Sequence, residues 1–137
     1  MVSIERACYP HPWSEESLRQ VLEDPQTFST LAARDGEGGL VGYIVFSEVA
    51  DELHVLNVAI DPTHQRRGIA TMMLMHLHQA AIRRGRVHAF LEVRESNLRA
   101  QKLYTRFGYR ALGKRKDYYS EDHEDAVLMT ADLLKTT

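Results

Sequence analysis

The sequence predicts a mixed α/β fold, a mainly antiparallel sheet flanked by helices, and three observations lead there. Leu56, Val58 and Ile60 alternate with smaller or polar neighbours as a strand does, and Asp61-Pro62 ends the run because proline brings no ladder donor and restricts the residue before it. Beyond Gly68 the apolar positions Ala70, Met73, Leu74, Leu77 and Ala81 recur at helical spacing, so strand, glycine-bearing loop and helix stand in immediate succession. Ahead of that unit, Phe28 to Arg34, Leu40 to Val49 and Glu52 to Ile60 read as three strands with tight connections, an antiparallel meander. With 137 residues, 44% of them hydrophobic, and no apolar run near the ~18 residues of a membrane span, residues 1–137 are expected to form one domain with a substantial core.

Taken in order, Met1 to Cys8 is short and weakly helical, and the prolines of Tyr9-Pro10-His11-Pro12 forbid a helix across that tetrapeptide. Ser14 suits an N-cap, Glu15 and Glu16 suit the first turn of a helix, and Leu18, Val21 and Leu22 supply its apolar face before Asp24-Pro25 stops it. Trp13 either closes the helix entry by packing or, with Tyr9, lines a pocket. Asp35-Gly36-Glu37-Gly38-Gly39 is a hairpin turn rich in residues that tolerate positive φ, and Ala50-Asp51 is a second tight connection. The long helix ends at Arg83-Arg84-Gly85, with cations in its last turn and glycine where a left-handed cap belongs. Val87 to Val93 is the next strand, parallel to the one before the helix. Ser96 or Asn97 can cap a short helix whose face is Ala100, Leu103, Tyr104 and Phe107 and which Gly108 ends. Tyr109 to Lys116 and Glu124 to Leu133 then form a closing hairpin around the loop Asp117 to His123.

The loop Gln65-Arg66-Arg67-Gly68 is placed to hold an anion. The first amides of the adjoining helix have no intrahelical partner, the positive end of its dipole lies there, glycine permits close approach, and the two arginines add charge. It is neither a P-loop, since no Lys-Ser/Thr comes after the glycine, nor a G-x-G-x-x-G dinucleotide loop. Glu92 is an unusual carboxylate in an apolar strand. Either it points outward and pairs with Arg94, or it sits at the carboxyl end of the strand as a base, where partial desolvation would raise its pKa. Tyr104 lies on the apolar stripe of its helix and reads equally as a core residue. His76 and His78 lack the i, i+4 spacing of a metal pair, and no metal is expected. A net charge of −2 argues against bulk nucleic-acid affinity. The single cysteine, Cys8, and the absence of a signal peptide fit a reducing cytoplasm.

Gln65-Arg66-Arg67-Gly68-Ile69-Ala70 resembles the Q/R-x-x-G-x-G/A signature of the GCN5-related N-acetyltransferases, with alanine at the last position. Leu91-Glu92-Val93-Arg94, Ser96-Asn97, Leu103-Tyr104 and Phe107-Gly108-Tyr109 resemble the second half of that family. Pro12-Trp13-Ser14-Glu15, Asp117-Tyr118-Tyr119 and His123-Glu124-Asp125-Ala126 narrow the likeness to its RimI-like branch, the ribosomal-protein-alanine N-acetyltransferases. The resemblance implies the acyltransferase fold of that family and transfer of the acetyl group of acetyl-coenzyme A to the N-terminal α-amine of a peptide or protein, such as a ribosomal protein. By the same resemblance Glu92 is the proton acceptor and Tyr104 the proton donor. Val58, Ala59, Ile60, Gln65, Arg66, Arg67, Gly68, Ile69, Ala70, Thr71 and Asn97 would hold acetyl-coenzyme A, and Tyr9, Trp13, Tyr118 and Tyr119 would frame the acceptor. A lysine side chain or small amine as acceptor, and a non-enzymatic acyl-coenzyme A-binding module, are the rival readings.

Two departures from the branch carry expectations. His11 stands where it has phenylalanine, and the family's first strand has no counterpart, since the chain opens at about the first helix. The edge of the strand Phe28 to Arg34 is then expected to be covered by Met1 to Cys8 or by a strand further upstream, with a monomer favoured over a dimer. The acidic group Glu121, Asp122, Glu124 and Asp125 is expected either to be a solvated turn or to attract a basic residue soon after a small first residue of the acceptor.

Overall fold

A computed structural model describes residues 1–119 and 122–135. Among these, β1 (Ser29–Arg34), β2 (Leu40–Val49), β3 (Glu52–Ile60), β4 (His88–Arg94), β5 (Arg110–Tyr119) and β6 (Glu124–Asp132) form a six-stranded sheet in the order β1-β2-β3-β4-β6-β5. Neighbours are antiparallel except β3 and β4, which the helical crossover makes parallel. Helices α1 (Val2–Cys8) and α2 (Glu15–Glu23) pack on one face, and α3 (Ile69–Arg83) and α4 (Leu98–Arg106) on the other.

The two faces explain the run Val41 to Phe46, which is buried without interruption. Ile44 and Phe46 enter the core beneath α3 with Met73, Leu74 and Leu77, while Tyr43 and Val45 enter a second core with Ile4 of α1 and Val21 of α2. A strand covered on both sides has no polar alternation to show. The helices begin and end where the capping residues stand: the Ser14 side chain accepts from Ser17 N, and Gly68 at φ 77° and Gly85 at φ 87° bracket α3. Leu22 is the exception on α2, exposed rather than part of its apolar face. β5 runs to Tyr119, beyond the expected Lys116, because it stays paired with β6 as far as Tyr119 opposite Glu124.

Two irregularities in β3 create the space that matters. Val45 of β2 faces Asn57 and Phe46 faces Val55, so Leu56 is an extra, bulged residue. On the other side, pairing with β4 stops at Val55 opposite Leu91. Past these points β3 and β4 diverge, and a gap opens between them. At the far end, Glu48 holds Arg84 and Arg86, each 2.7 Å away, and ties β2 to the end of α3.

The outer edge of β1 has no strand partner among the described residues. α1 does not provide the expected cover. Ile4 anchors it in the second core, and it packs against β3 and the 3-10 turn Pro62–His64 instead. Among the described residues, no helix is long and apolar enough to cross a membrane.

Candidate active site

Two cavities of about 590 and 620 Å³ approach the gap from opposite sides, each large enough for a small-molecule ligand. They share Tyr9, Val58, Asn97, Ala100 and Tyr104, which therefore form the neck between them.

The cavity on the α3 and α4 side is walled by Val58, Ala59 and Ile60 of β3 and by the loop that enters α3, including Gln65, Arg66, Gly68, Ile69, Ala70 and Thr71. Gly68 is held at φ 77°, and a Cβ built on it would meet no heavy atom within 4 Å. Its bare backbone thus faces open space at a helix N-terminus, a geometry suited to a phosphate. Arg67 does not line this cavity, whereas Arg99 and Arg106 of α4 do. The cations around the anion site are therefore drawn partly from a helix that the loop motif does not reach. The Val58 and Ile60 carbonyls point into the gap. Tyr9 Oη donates to Val58 O, while Gln65 Nε2 at 3.0 Å and Cys8 Sγ at 2.9 Å donate to Ile60 O. Asn97 caps α4, its Oδ1 accepting from Ala100 N at 3.2 Å.

The opposite cavity brings together Tyr9, Trp13, Glu92, Tyr104 and Tyr119. Tyr118 lies outside it, in an adjoining groove over the open face of β4 and β6 that Trp13, Glu92 and Tyr119 also line. Trp13 meets both of its readings, since it packs on the second core and walls the cavity. Tyr104 is buried, and among the described residues its hydroxyl makes no hydrogen bond. Burial pushes its pKa well above the ordinary phenol value, so it keeps its proton at neutral pH. Burial likewise raises the Tyr9 phenol, and it pushes Tyr119 up to about 12. Hydrogen bonding to the Glu92 carboxylate holds Tyr118 above its usual value.

Glu92 does not pair with Arg94. Its Oε1 accepts from Arg115 Nη1 of β5 at 2.7 Å, and the side chain is 27% exposed, so a cation rather than an apolar wall is its nearest neighbour. Arg94 holds Asp122 at 3.0 Å and Glu124 at 3.1 Å, and its guanidinium stands 4.0 Å from the Tyr119 ring centroid. These pairs correct the expectation for the acidic turn. Asp122 and Glu124 are bound to Arg94 of β4, Glu124 also accepts from Ser96 N in the loop after it, and Asp125 accepts from Asp117 N within the hairpin, so these carboxylates fasten the hairpin and its neighbour strand. Glu121 lies outside the described residues. His11, which departs from the branch, stands 3.3 Å from Asp122 and links the α1–α2 loop to the hairpin across the cavity mouth.

Two residues with no signal in the sequence sit in the wall of this cavity. Glu5 of α1 is 1% exposed and binds Asn57 of β3. A glutamate in a seven-residue helix, 52 positions from its partner, carries no local mark of such burial.

The acetyltransferase (GNAT) family model matches residues 1–109. The ribosomal protein bS18-alanine N-acetyltransferase of Salmonella typhimurium is 35% identical over 128 residues, 92% of this chain and 84% of that protein. The N-alpha-acetyltransferase RimI of Mycobacterium tuberculosis is 35% identical over 125 residues, 88% of this chain and 76% of that protein. Among solved structures, the ribosomal-protein-S18-alanine N-acetyltransferase from Escherichia coli superposes with a TM-score of 0.86 at 29% identity, covering 96% of this chain and 84% of that one.

Proposed function

The chain belongs to the GNAT acetyltransferase family, and from that premise we propose that it moves the acetyl group of acetyl-coenzyme A to the α-amine of a protein N-terminus, the N-terminal alanine of ribosomal protein bS18 being the acceptor its relatives' names give. The observation that carries the reading is the neck. A donor along β3 and an acceptor from the other side can touch only at Tyr9, Val58, Asn97, Ala100 and Tyr104.

Acetyl-coenzyme A supplies an activated thioester. Gly68 and the first amides of α3 receive its pyrophosphate, with Arg66, Arg99 and Arg106 as counter-charges. The Val58 and Ile60 backbone pairs with the pantetheine arm, which exchanges for the side-chain donors Tyr9, Cys8 and Gln65 now on those carbonyls. A backbone amide of β3 steadies the carbonyl oxygen as negative charge develops on it. Free α-amines have pKa near ~7.7 to 8.0, so much of the acceptor arrives protonated at neutral pH. Glu92 takes that proton through water and passes it to solvent, the amine attacks the carbonyl carbon, and the second proton that the nitrogen loses in becoming an amide leaves by the same water route. As the carbon–sulfur bond breaks, Tyr104 gives its proton to the departing sulfur and is re-protonated from solvent.

Tyr9 and Trp13 line the cavity that receives the acceptor's first residue, and the relatives' alanine acceptor supports a small one there. Arg94, which both Asp122 and Glu124 bind, weakens the electrostatic argument for a basic one after it. We place the activity in the cytoplasm. The test is mass spectrometry of peptides incubated with acetyl-coenzyme A: an alanyl peptide acetylated on its α-amine is expected. Modification confined to lysine side chains would overturn the acceptor assignment.

A further inference from the structure

Glu5 is a carboxyl side chain buried between α1 and β3. It is 1% exposed, and no ion pair among the described residues includes it. Its partners are donors only. Asn57 Nδ2 lies 2.8 Å from Oε1 and 2.9 Å from Oε2, and Tyr43 Oη lies 2.9 Å from Oε2. Burying a carboxylate with no cation is costly, and a purely structural contact between α1 and β3 could be made by apolar side chains at less expense. What the three hydrogen bonds hold in place is specific. Asn57 is the first residue past the Leu56 bulge and past the end of β3–β4 pairing, where two of the usual restraints on strand direction have stopped. The next residue is Val58, in the neck. Tyr9, one turn beyond Glu5, reaches Val58 directly through its hydroxyl.

We propose that Glu5 is a positioning residue for acetyl transfer: through Asn57 it clamps β3 just past the bulge and sets the angle at which the Val58 backbone meets the thioester. The inference rests on the acetyl-transfer reading. It gives α1 a role beyond the cavity walls and the Cys8 contact to Ile60 O.

Stability and positioning can be separated with an all-apolar replacement, Glu5→Met with Tyr43→Phe and Asn57→Leu, which leaves no buried donor orphaned. The expected result is a melting temperature close to wild type and a kcat lower by about 10- to 100-fold, the scale of a small misplacement of reacting groups, with the KM for acetyl-coenzyme A changing far less. Glu5→Gln is the conservative rescue, because Asn57 can flip its amide and accept from the new one, and its kcat should return to within a few-fold of wild type. Tyr43→Phe alone, which removes one bond and fills the same space, covers the case in which the triple variant fails to fold, and it too should lower kcat more than stability. Wild-type kcat in the folded triple variant, or in Tyr43→Phe if only that folds, would overturn the clamp. So would a loss confined to melting temperature. Wild-type protein inactive on the alanyl peptide but active on another amine would discard the acceptor reading alone, and the same variants would then be judged on that amine.

Discussion

Gly68→Val and Gly85→Val form a pair that separates the ligand role of a glycine from its conformational role. Both glycines have positive φ, 77° and 87°, and a Cβ on either meets no heavy atom within 4 Å. The β-carbon of neither substitution therefore clashes with the protein, and each is expected to carry chiefly the strain of a β-branched residue in the left-handed region, about 2 kcal/mol. For a chain of this length the unfolding entropy is about 0.29 kcal/mol/K, so both variants should melt about 7 °C below wild type. They differ in where the side chain goes. At Gly68 it enters the cavity beside the first amides of α3, whereas at Gly85 it stands beyond the far end of that helix. Losing one or two charge-assisted hydrogen bonds to phosphate costs about 1.5–3 kcal/mol, so acetyl-coenzyme A should bind Gly68→Val about 10- to 150-fold more weakly. Gly85→Val should bind it normally. Calorimetric titration of both gives the answer: equal affinities in two folded variants would refute the phosphate cradle.

Glu92→Gln and Tyr104→Phe should each lower turnover by about one to four orders of magnitude with acetyl-coenzyme A affinity kept, and steady-state kinetics showing near-normal kcat in both would return them to packing roles. His78 is buried against Tyr109, 2.9 Å from its hydroxyl, and burial lowers its pKa from 6.5 to about 4. The unfolded chain therefore takes up the proton first, so this contribution to stability is complete above about pH 6.5 and is lost as pH falls toward 4, by at most about 3 kcal/mol. His78→Gln keeps a partner for Tyr109 and should flatten that part of the melting profile; an unchanged slope would show that another group titrates there. A Cβ on Gly42 would stand 2.6 Å from Ile60 Cδ1 and 3.1 Å from Ala59 O, so Gly42→Ala should cost about 1–3 kcal/mol and raise the KM for acetyl-coenzyme A by shifting β3. Thermal melting and kinetics measure both effects, and wild-type values would mean that β3 yields freely.

The elements were legible because each carries a local period or stop: the helical spacing from Ala70 to Ala81, the Ser14 cap, the turn glycines and the unbroken apolar run of β2. The neck was legible in part. Tyr104 and Asn97 are reached through the family resemblance of their segments, and Gly68, beside the neck, by its place before a helix. The partners were not. Glu92 finds Arg115 only because β5 and β6 pair in one register, and neighbouring Arg94 is drawn away by Asp122 and Glu124. The bulge at Leu56 has no mark in Leu53 to Ile60, since it is set by how β2 and β3 align across a hairpin. Glu5 and Asn57 meet only once α1 lies across β3, and no propensity encodes that.

The neck has a consequence for how the protein can work on an acceptor much larger than itself. A nucleotide carrier in the cavity beside α3 and α4 leaves the cavity lined by Trp13, Glu92 and Tyr119 to the acceptor. The acceptor's bulk is therefore limited only by how far its first residues can reach, and spent coenzyme can depart while the modified chain is still in place. Direct hand-over through an opening shared by both chambers also requires both reactants to be present together, so initial-rate plots against either substrate should intersect rather than run parallel.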